Sequence, residues 1–259
     1  MNTSFYFDCV RVVITAGASG IGYAVARAFD EQGAKIHICD VSDEALDECQ
    51  SKHPHWGQSK CDVSDETQVQ KIFDEANSFL GGVDILINNA GIAGPTGGVD
   101  QIDTEHWRKT IDINLNGQFY CAKYAAPLLR KSDNASIICM SSIAGRLAYA
   151  NRTPYAATKW AIRGLAESLA QELGVDGIRV NSILPGIVEG PRIEAVIRAR
   201  AENENVSFED MNQKYKDMAS LRRMVTAEDV ANQILFLCSP LGKNISGQSI
   251  SVDGHVRAL

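Results

Sequence analysis

A tyrosine and a lysine stand four residues apart in the stretch TPYAATKWA, Tyr155 and Lys159, directly after Pro154. Proline suits the first turn of a helix, and a step of four puts both side chains on one helical face, about one turn apart. A phenol with its ordinary pKa of about 10 is a poor acid–base group at neutral pH. An ammonium beside it stabilises the phenolate, so such a pair is able to move protons. The spacing alone is a weak signal, because seven Tyr and eleven Lys in 259 positions give about 0.3 such pairs by chance. Context sharpens it. Thirteen residues earlier, in MSSIAG, Ser142 follows an apolar run and offers a hydroxyl to a carbonyl oxygen beside the phenol. NNAG (88–91) supplies a glycine-bearing turn, and Asn114 in INLNG puts an amide inside a helix, where it bends the helix or holds a water.

Such groups meet only if the chain gathers them at one place. Short apolar, β-branched runs recur along it: RVVIT (11–15), AKIHICD (34–40), GQSKCDV (57–63), VDILINN (83–89), ASIICMS (135–141), IRVNSILP (178–185) and QSISVDG (248–254). Between them lie segments with helical apolar spacing, such as IGYAVARAFDEQG and ETQVQKIFDEANSFLG, each closed by a glycine suited to a helix C-terminus. This alternation predicts an α/β fold with a seven-stranded parallel sheet and helices on both faces, a three-layer sandwich. Ligands of such sheets sit at the C-terminal strand edge, where the strand order reverses. No linker interrupts 1–259, so one domain is expected. The exception to the alternation is a long polar insert at about 186–225, where the substrate is expected.

ITAGASGIG (14–22) joins the first strand to the first helix. Amides at a helix N-terminus carry partial positive charge, and glycines such as Gly17, Gly20 and Gly22 let a pyrophosphate approach the backbone. A tight strand-to-helix turn also wants glycine. Asp40, ending the second run, adds a carboxylate able to accept hydrogen bonds from both adenosine ribose hydroxyls and to repel a 2′-phosphate. Neither Val41 nor Ser42 offers a cation, so NAD is preferred over NADP. The plainer reading of Asp40 is a cap for the helix SDEALDECQ.

Composition narrows the partners. Hydrophobic residues make up 45% and charged ones 22%, ordinary for a globular chain. A net charge of −7 and no Lys/Arg-rich run argue against nucleic acid and anionic membranes, leaving a small molecule as the expected partner. No long apolar span or basic, apolar leader shows, so a cytoplasmic protein is expected. The seven cysteines, without a CxxC pair, read as buried reduced thiols. HPHW (53–56) carries two histidines but no companion ligand at metal spacing in the sequence, and no metal site is assigned.

Taken together, the motifs resemble those of the short-chain dehydrogenase/reductase family over essentially the whole chain. TAGASGIG is similar to that family's TGxxxGIG loop, CDV with Asp62 to its adenine-side aspartate, and NNAG to its NNAG. NLNG, SS, YAATK and RVNSILPG match its further motifs in order. The resemblance implies a Rossmann-type domain in which Tyr155 is the acid–base, Lys159 holds the nicotinamide ribose and tunes Tyr155, Ser142 binds the reacting oxygen, and Asn114 serves a proton-relay water. It further implies cofactor contacts from Gly17, Ser19, Gly20, Ile21, Gly22, Asp40, Val41, Asp62, Val63, Asn89, Ala90, Gly91, Tyr155, Lys159, Pro185, Gly186 and Val188.

Two positions depart from the pattern. Ala16 replaces the first loop glycine, at small cost if its φ is negative and about 1 kcal/mol if it is left-handed. Gly190 stands where the family often has a threonine that grips the carboxamide. The expected reaction is oxidation of a primary or secondary alcohol by NAD, or reduction of the carbonyl (EC 1.1.1.-). Arg146, Arg152, Arg192, Arg198, Arg200, Arg222 and Arg223 suggest an anionic substrate, with Arg152 and Arg192 joining Ser142 and Tyr155 as substrate contacts; a polyol is the other option. RIEAVIRARAENE equally reads as a solvated helix with internal charge pairs. An enoyl reductase is disfavoured, since that group spaces its Tyr and Lys by six, and a nucleotide-sugar epimerase needs a larger C-terminal region. The alternative outside enzymes is an NAD-binding sensor or scaffold. Family resemblance implies a homotetramer.

Overall fold

The structure, a computed structural model, describes residues 7–258, apart from the side chains of residues 192, 199 and 203. Seven strands, β1 (Arg11–Thr15), β2 (Lys35–Asp40), β3 (Gly57–Lys60), β4 (Ile85–Asn88), β5 (Ser136–Met140), β6 (Arg179–Pro185) and β7 (Ser249–Val252), form one sheet in the order β3-β2-β1-β4-β5-β6-β7. Every neighbouring pair is parallel, as in Val13↔His37 and Ile14↔Ile87. The seven runs read from the sequence are these strands, with β3, β4 and β7 the most shortened, each four residues against a run of seven. Helices on both sides bury β4, β5 and β6 on both faces, which is why those strands read as continuous apolar runs rather than as alternation.

Two apolar cores result. On one face α1 (Gly20–Asp30), α2 (Asp43–Lys52) and α9 (Ala227–Cys238) lay Phe29, Leu46 and Ile234 against Ile14, Ile38 and Ile138. On the other, α3 (Glu66–Leu80), α5 (Gly117–Leu129) and α6 (Thr153–Leu173) lay Phe73, Leu129 and Ile162 against Val13, Leu86 and Ile137. A short α4 (Thr104–Ile111) leads into α5 through one π-helical turn, Asp112–Asn116. The segment 186–225 is two helices, α7 (Pro191–Glu204) and α8 (Phe208–Asp217), with a separate small core of Ile197, Met211 and Tyr215. Its ends are tied together, since Glu189 N donates to Val225 O at 2.8 Å and Val225 N to Ile187 O at 3.0 Å.

Most helix starts are closed by side chains: Ser42, Asp65, Asp103, Ser207 and Thr226 cap α2, α3, α4, α8 and α9, each worth about 1 kcal/mol. Asp40 is therefore not the cap of α2. Gly81, left-handed at φ 76°, closes α3 as expected. α1 instead ends at Asp30, and its glycine, Gly33, stands three residues further on. Six cysteines are buried thiols; Cys9, expected inside with them, is exposed because the turn before β1 holds it outside the sheet.

Candidate active site

The order of the strands reverses at β1, whose neighbours are β2 and β4. The segments leaving β1 and β4 therefore face each other across a crevice. Thr15 Oγ1 accepts from the backbone N–H groups of Asn89 and Ala90, each at 2.9 Å, and Asn89 Nδ2 donates to Thr15 O at 3.0 Å and Ala16 O at 3.1 Å. Ala16 is left-handed at φ 48°, so the costlier of its two expected conformations is the one adopted, on the order of 1 kcal/mol for a residue with a Cβ. The turn aims the Ala16 carbonyl at the start of α1. A Cβ on Gly22 would lie 2.1 Å from that oxygen, so only glycine fits. Gly20, at φ 55°, has open space where a side chain would stand.

At α1 the N-cap is Ser19, whose side chain makes no capping bond, and the first turn holds no acidic residue and no proline. The amide groups opening this helix lack the side-chain acceptor found at α2, α3, α4, α8 and α9, and Gly20 leaves them uncovered. That is an arrangement for an anion. Asp40, 7% exposed, closes one side: its carboxylate accepts from Ala18 N at 3.3 Å and Ser42 N at 3.2 Å. Val41 is exposed. Asp62, after β3, holds its own turn by accepting from Ser64 N and Oγ at 3.0 and 2.7 Å. Val63 is buried beneath Gly117. Ile21 is half-buried against the core under α1.

At the same edge α6 begins with Thr153 and Pro154, putting Tyr155 in its first turn and Lys159 one turn on. Lys159 is 3% exposed, and its Nζ donates to Met140 O at 2.9 Å and lies 5.5 Å from the centre of the Tyr155 ring. Gly91 lies beside it: a Cβ there would be 3.2 Å from Asn114 Oδ1 and 3.5 Å from Lys159 Nζ. Asn114 sits in the π-helical turn, a feature found often at functional sites. It is fully buried. Its Oδ1 accepts from Ile92 N at 2.7 Å, and its Nδ2 donates to Ile92 O at 3.0 Å and Thr158 Oγ1 at 3.2 Å. The amide thus clips the β4 loop to α6, with both of its ends engaged by the protein.

Ser142 is extended at the end of β5, and its Oγ accepts from Ala144 N at 3.2 Å. Its neighbour Ser141, which the motif reading passed over, donates to Lys159 O at 2.7 Å and ties β5 to α6. Thr158 was missed in the same way: its hydroxyl donates to Tyr155 O at 2.8 Å and accepts from Asn114. The doublet SS and the threonine of YAATK were the available signals.

The arginines separate cleanly. Arg152 lies against Tyr155 and Tyr149, its guanidinium carbon 5.6 and 5.5 Å from their ring centres. It donates to Ala93 O at 2.7 Å and Thr96 Oγ1 at 3.2 Å, while its buried Nε has no hydrogen-bond partner among the described residues. Burial pushes the Tyr149 phenol above its ordinary pKa, with Arg152 pulling the other way. Arg146 pairs with Asp253 at 3.4 Å, Arg200 with Glu204 at 2.9 Å and Arg222 with Asp217 at 3.2 Å; Arg198 lies over the Phe208 ring, and Arg223 is exposed. For Arg198 and Arg200 the reading as a solvated helix fits. The Arg192 side chain lies outside the described residues.

Pro185 ends β6, and Gly186 is pressed against Asp253, whose Cα would be 2.7 Å from a Cβ. Val188 bridges to Val225. Gly190 has φ 138° and ψ 177°, a region open essentially to glycine alone, just before Pro191 starts α7. A residue with a Cβ would be strained at position 190 on this backbone path.

The comparisons agree with this architecture. A family model described as enoyl-(acyl carrier protein) reductase matches residues 15–256. An uncharacterized oxidoreductase of Bacillus subtilis (strain 168), YxbG, is 34% identical over 250 residues, 95% of this chain and 90% of that protein. A cis-4-hydroxycyclohexanecarboxylate dehydrogenase of Sinomonas cyclohexanicum is 32% identical over 250 residues, 95% of this chain and 96% of that protein. The crystal structure of levodione reductase superposes with a TM-score of 0.88 at 28% identity, covering 96% of this chain and 97% of that one. A nicotinamide-binding Rossmann fold with its motifs in order over nearly its whole length, the chain belongs to the short-chain dehydrogenase/reductase family of oxidoreductases.

Proposed function

We propose that the protein is an NAD-dependent alcohol dehydrogenase acting reversibly on a small substrate that carries an acidic group or several hydroxyls, with Tyr155 as its acid–base. The observation that carries this reading is the buried Lys159 ammonium, fixed on Met140 O and 5.5 Å from the Tyr155 ring, at the sheet edge where α1 offers uncapped amides. Those amides, with Gly20 bare above them, fit a pyrophosphate, and Asp40 fits the adenosine ribose and disfavours a 2′-phosphate. The remaining contacts come from Gly17, Ser19, Ile21, Gly22, Val41, Asp62, Val63, Asn89, Ala90, Gly91, Pro185, Gly186 and Val188. Bound, the dinucleotide supplies a hydride acceptor.

The chain's own residues manage position and one proton. Ser142 Oγ would hold the substrate oxygen and Tyr155, as its phenolate, would take the hydroxyl proton, while the bound dinucleotide would supply the acceptor for the hydride, so that the product would be a ketone or aldehyde. Lys159 and Arg152 flank the ring with positive charge at 5.5 and 5.6 Å. Asn114 fixes the β4 loop against α6, so that Gly91 and Lys159 keep their places. A spacing of four between Tyr155 and Lys159 favours carbonyl and alcohol chemistry over the double-bond reduction in the family model's description.

Arg152 supports the acidic substrate, because its Nε, beside Tyr155, still lacks a partner; a relative at 32% identity is named for a hydroxy acid. The exposed Phe119 and Trp160 on α5 and α6 support a homotetramer. Following NADH formation with a panel of hydroxy acids, polyols and neutral alcohols tests the reading. Turnover confined to acids, and weakened in Arg152→Gln, supports the anionic substrate; equal turnover of neutral alcohols removes it. NAD binding without turnover on any alcohol would make the chain a sensor or scaffold.

A further inference from the structure

At the opposite edge of the sheet, HPHW acquires the ligand that its own sequence lacks. Asp30, the last residue of α1, reaches the turn between α2 and β3, so that one atom from each of Asp30, His53 and His55 lies within 4.8 Å of the others. His55 Nε2 is 2.9 Å from Asp30 Oδ1, and His53 Nδ1 is 4.0 Å from Asp30 Oδ2. Ligands of a tetrahedral zinc stand about 3.3 Å apart, from metal–ligand distances of about 2.0–2.1 Å. The observed separations bracket that value, and small side-chain rotations would equalise them. We propose that Asp30, His53 and His55 form a binding site for a divalent cation of the zinc class, with a water completing the coordination.

Three features beyond the ligand set point the same way. His53 Nε2 is 2.9 Å from Tyr23 Oη, and in the tautomer that carries its proton on Nε2 the phenol accepts it and Nδ1 faces the carboxylate. A metal-binding histidine is ordinarily oriented by such a partner on its other nitrogen. The ring is also stacked on Trp56, centres 4.0 Å apart and planes 11° apart, and its backbone N–H is fixed on Cys49 O at 2.8 Å. Of the nearby cations, Arg27 is paired to Glu31 at 3.3 Å and Lys52 to Glu48 at 2.5 Å, so each brings its own counter-charge. Two imidazoles and a carboxylate suit zinc, nickel or copper, whereas magnesium and calcium prefer oxygen donors alone.

The test uses the full chain stripped with chelator and dialysed against Zn²⁺, with Mg²⁺ in parallel. One Zn²⁺ per chain, no Mg²⁺, and a rise in melting temperature of a few degrees with saturating zinc are expected. Asp30→Asn and His55→Ala should each weaken zinc binding about tenfold or more, and Tyr23→Phe about tenfold through His53. Cu²⁺ should quench the emission of Trp56 saturably, and the quenching should vanish in His55→Ala. The control is the double variant His106→Asn/His255→Asn, which removes exposed histidines elsewhere and should bind zinc like the parent. His55 is 61% exposed in its side chain, so its removal leaves the fold intact. Equal zinc binding by His55→Ala and the parent, or loss of binding in the control variant, overturns the proposal.

Discussion

The two edges of the one sheet are built differently. At the C-terminal edge, backbone groups are left bare and side chains are spent on fixing them: α1 opens without a cap, Asn114 clips Ile92, and Lys159 is buried on Met140 O. At the N-terminal edge, and along the outer strands β2 and β3, side chains close on one another, as in Arg11 with Asp84, His37 with Ser59 and Glu75, and Asp30 with His53 and His55. Each construction leaves a different trace in the sequence. A site whose backbone must approach a ligand needs glycines and helix starts at fixed local offsets, which makes contiguous motifs. A cluster of side chains from separate elements needs none.

If the C-terminal edge is the reaction edge, changes there break turnover and leave the fold standing. Tyr155→Phe should lower kcat by about 10²–10⁴-fold with NAD affinity unchanged, since only the acid–base hydroxyl is lost; single-turnover absorbance and calorimetry separate the two. Gly22→Ala drives a methyl to 2.1 Å from the Ala16 carbonyl. Overpacking against backbone predicts a loss of about 3 kcal/mol or more, and with it NAD binding. Denaturant unfolding and calorimetry on the same preparation would show both.

The side-chain cluster of the outer strands β2 and β3 should respond to acid instead. His37 is 2% exposed, its Nδ1 is without a hydrogen-bond partner among the described residues, and burial holds its pKa down to about 4 despite Glu75. The unfolded chain takes up that proton near 6.5, so between 6.5 and 4 it binds more protons than the folded one. The stability is fully present above pH 6.5 and is lost as pH falls towards 4, by on the order of 3 kcal/mol. Urea midpoints at pH 7 and 4.5 should fall less in His37→Gln than in the parent. A parent as steep as the variant would remove this contrast between the edges.

Asp40 offers a sharper and smaller test of what the reaction edge recognises. Its carboxylate is shared between loop amides and the proposed ribose site, so Asp40→Ala should raise the KM for NAD about tenfold, roughly 1.4 kcal/mol, and move the preference towards NADP. An unchanged ratio would mean that Asp40 only braces the turn.

The division also marks what could be read in advance. β4, β5 and β6 were legible because strands covered on both faces demand short continuous apolar runs, whereas β3 (GQSK) and β7 (SISV), more polar and less buried, were legible from their place in the alternation of strands and helices. Tyr155 and Lys159 were legible because one helical turn encodes their contact. Ser141, Thr158 and the placing of Arg152 beside Tyr155 were not, since their partners are backbone atoms or rings on other elements. Asp30 lies 23 positions before His53, and nothing in an aspartate ending an amphipathic helix announces a histidine partner.

Ala16 stands between these cases, and replacing it is the smallest test. Its type was visible as a departure, but the sign of φ was not, because that sign depends on where Asn89 Nδ2 and Gly22 place its carbonyl. Ala16→Gly removes a left-handed penalty of about 1–2 kcal/mol and returns roughly 0.5–1 kcal/mol of unfolded-chain entropy. A net gain of about 0.5–1 kcal/mol should remain, about 1–4 °C in Tm for a chain of this size. NAD affinity should stay the same, since the carbonyl keeps its place in both. A fall in Tm would show that the alanine methyl makes packing contacts worth more than its strain, joining this loop residue to the side-chain logic of the opposite edge.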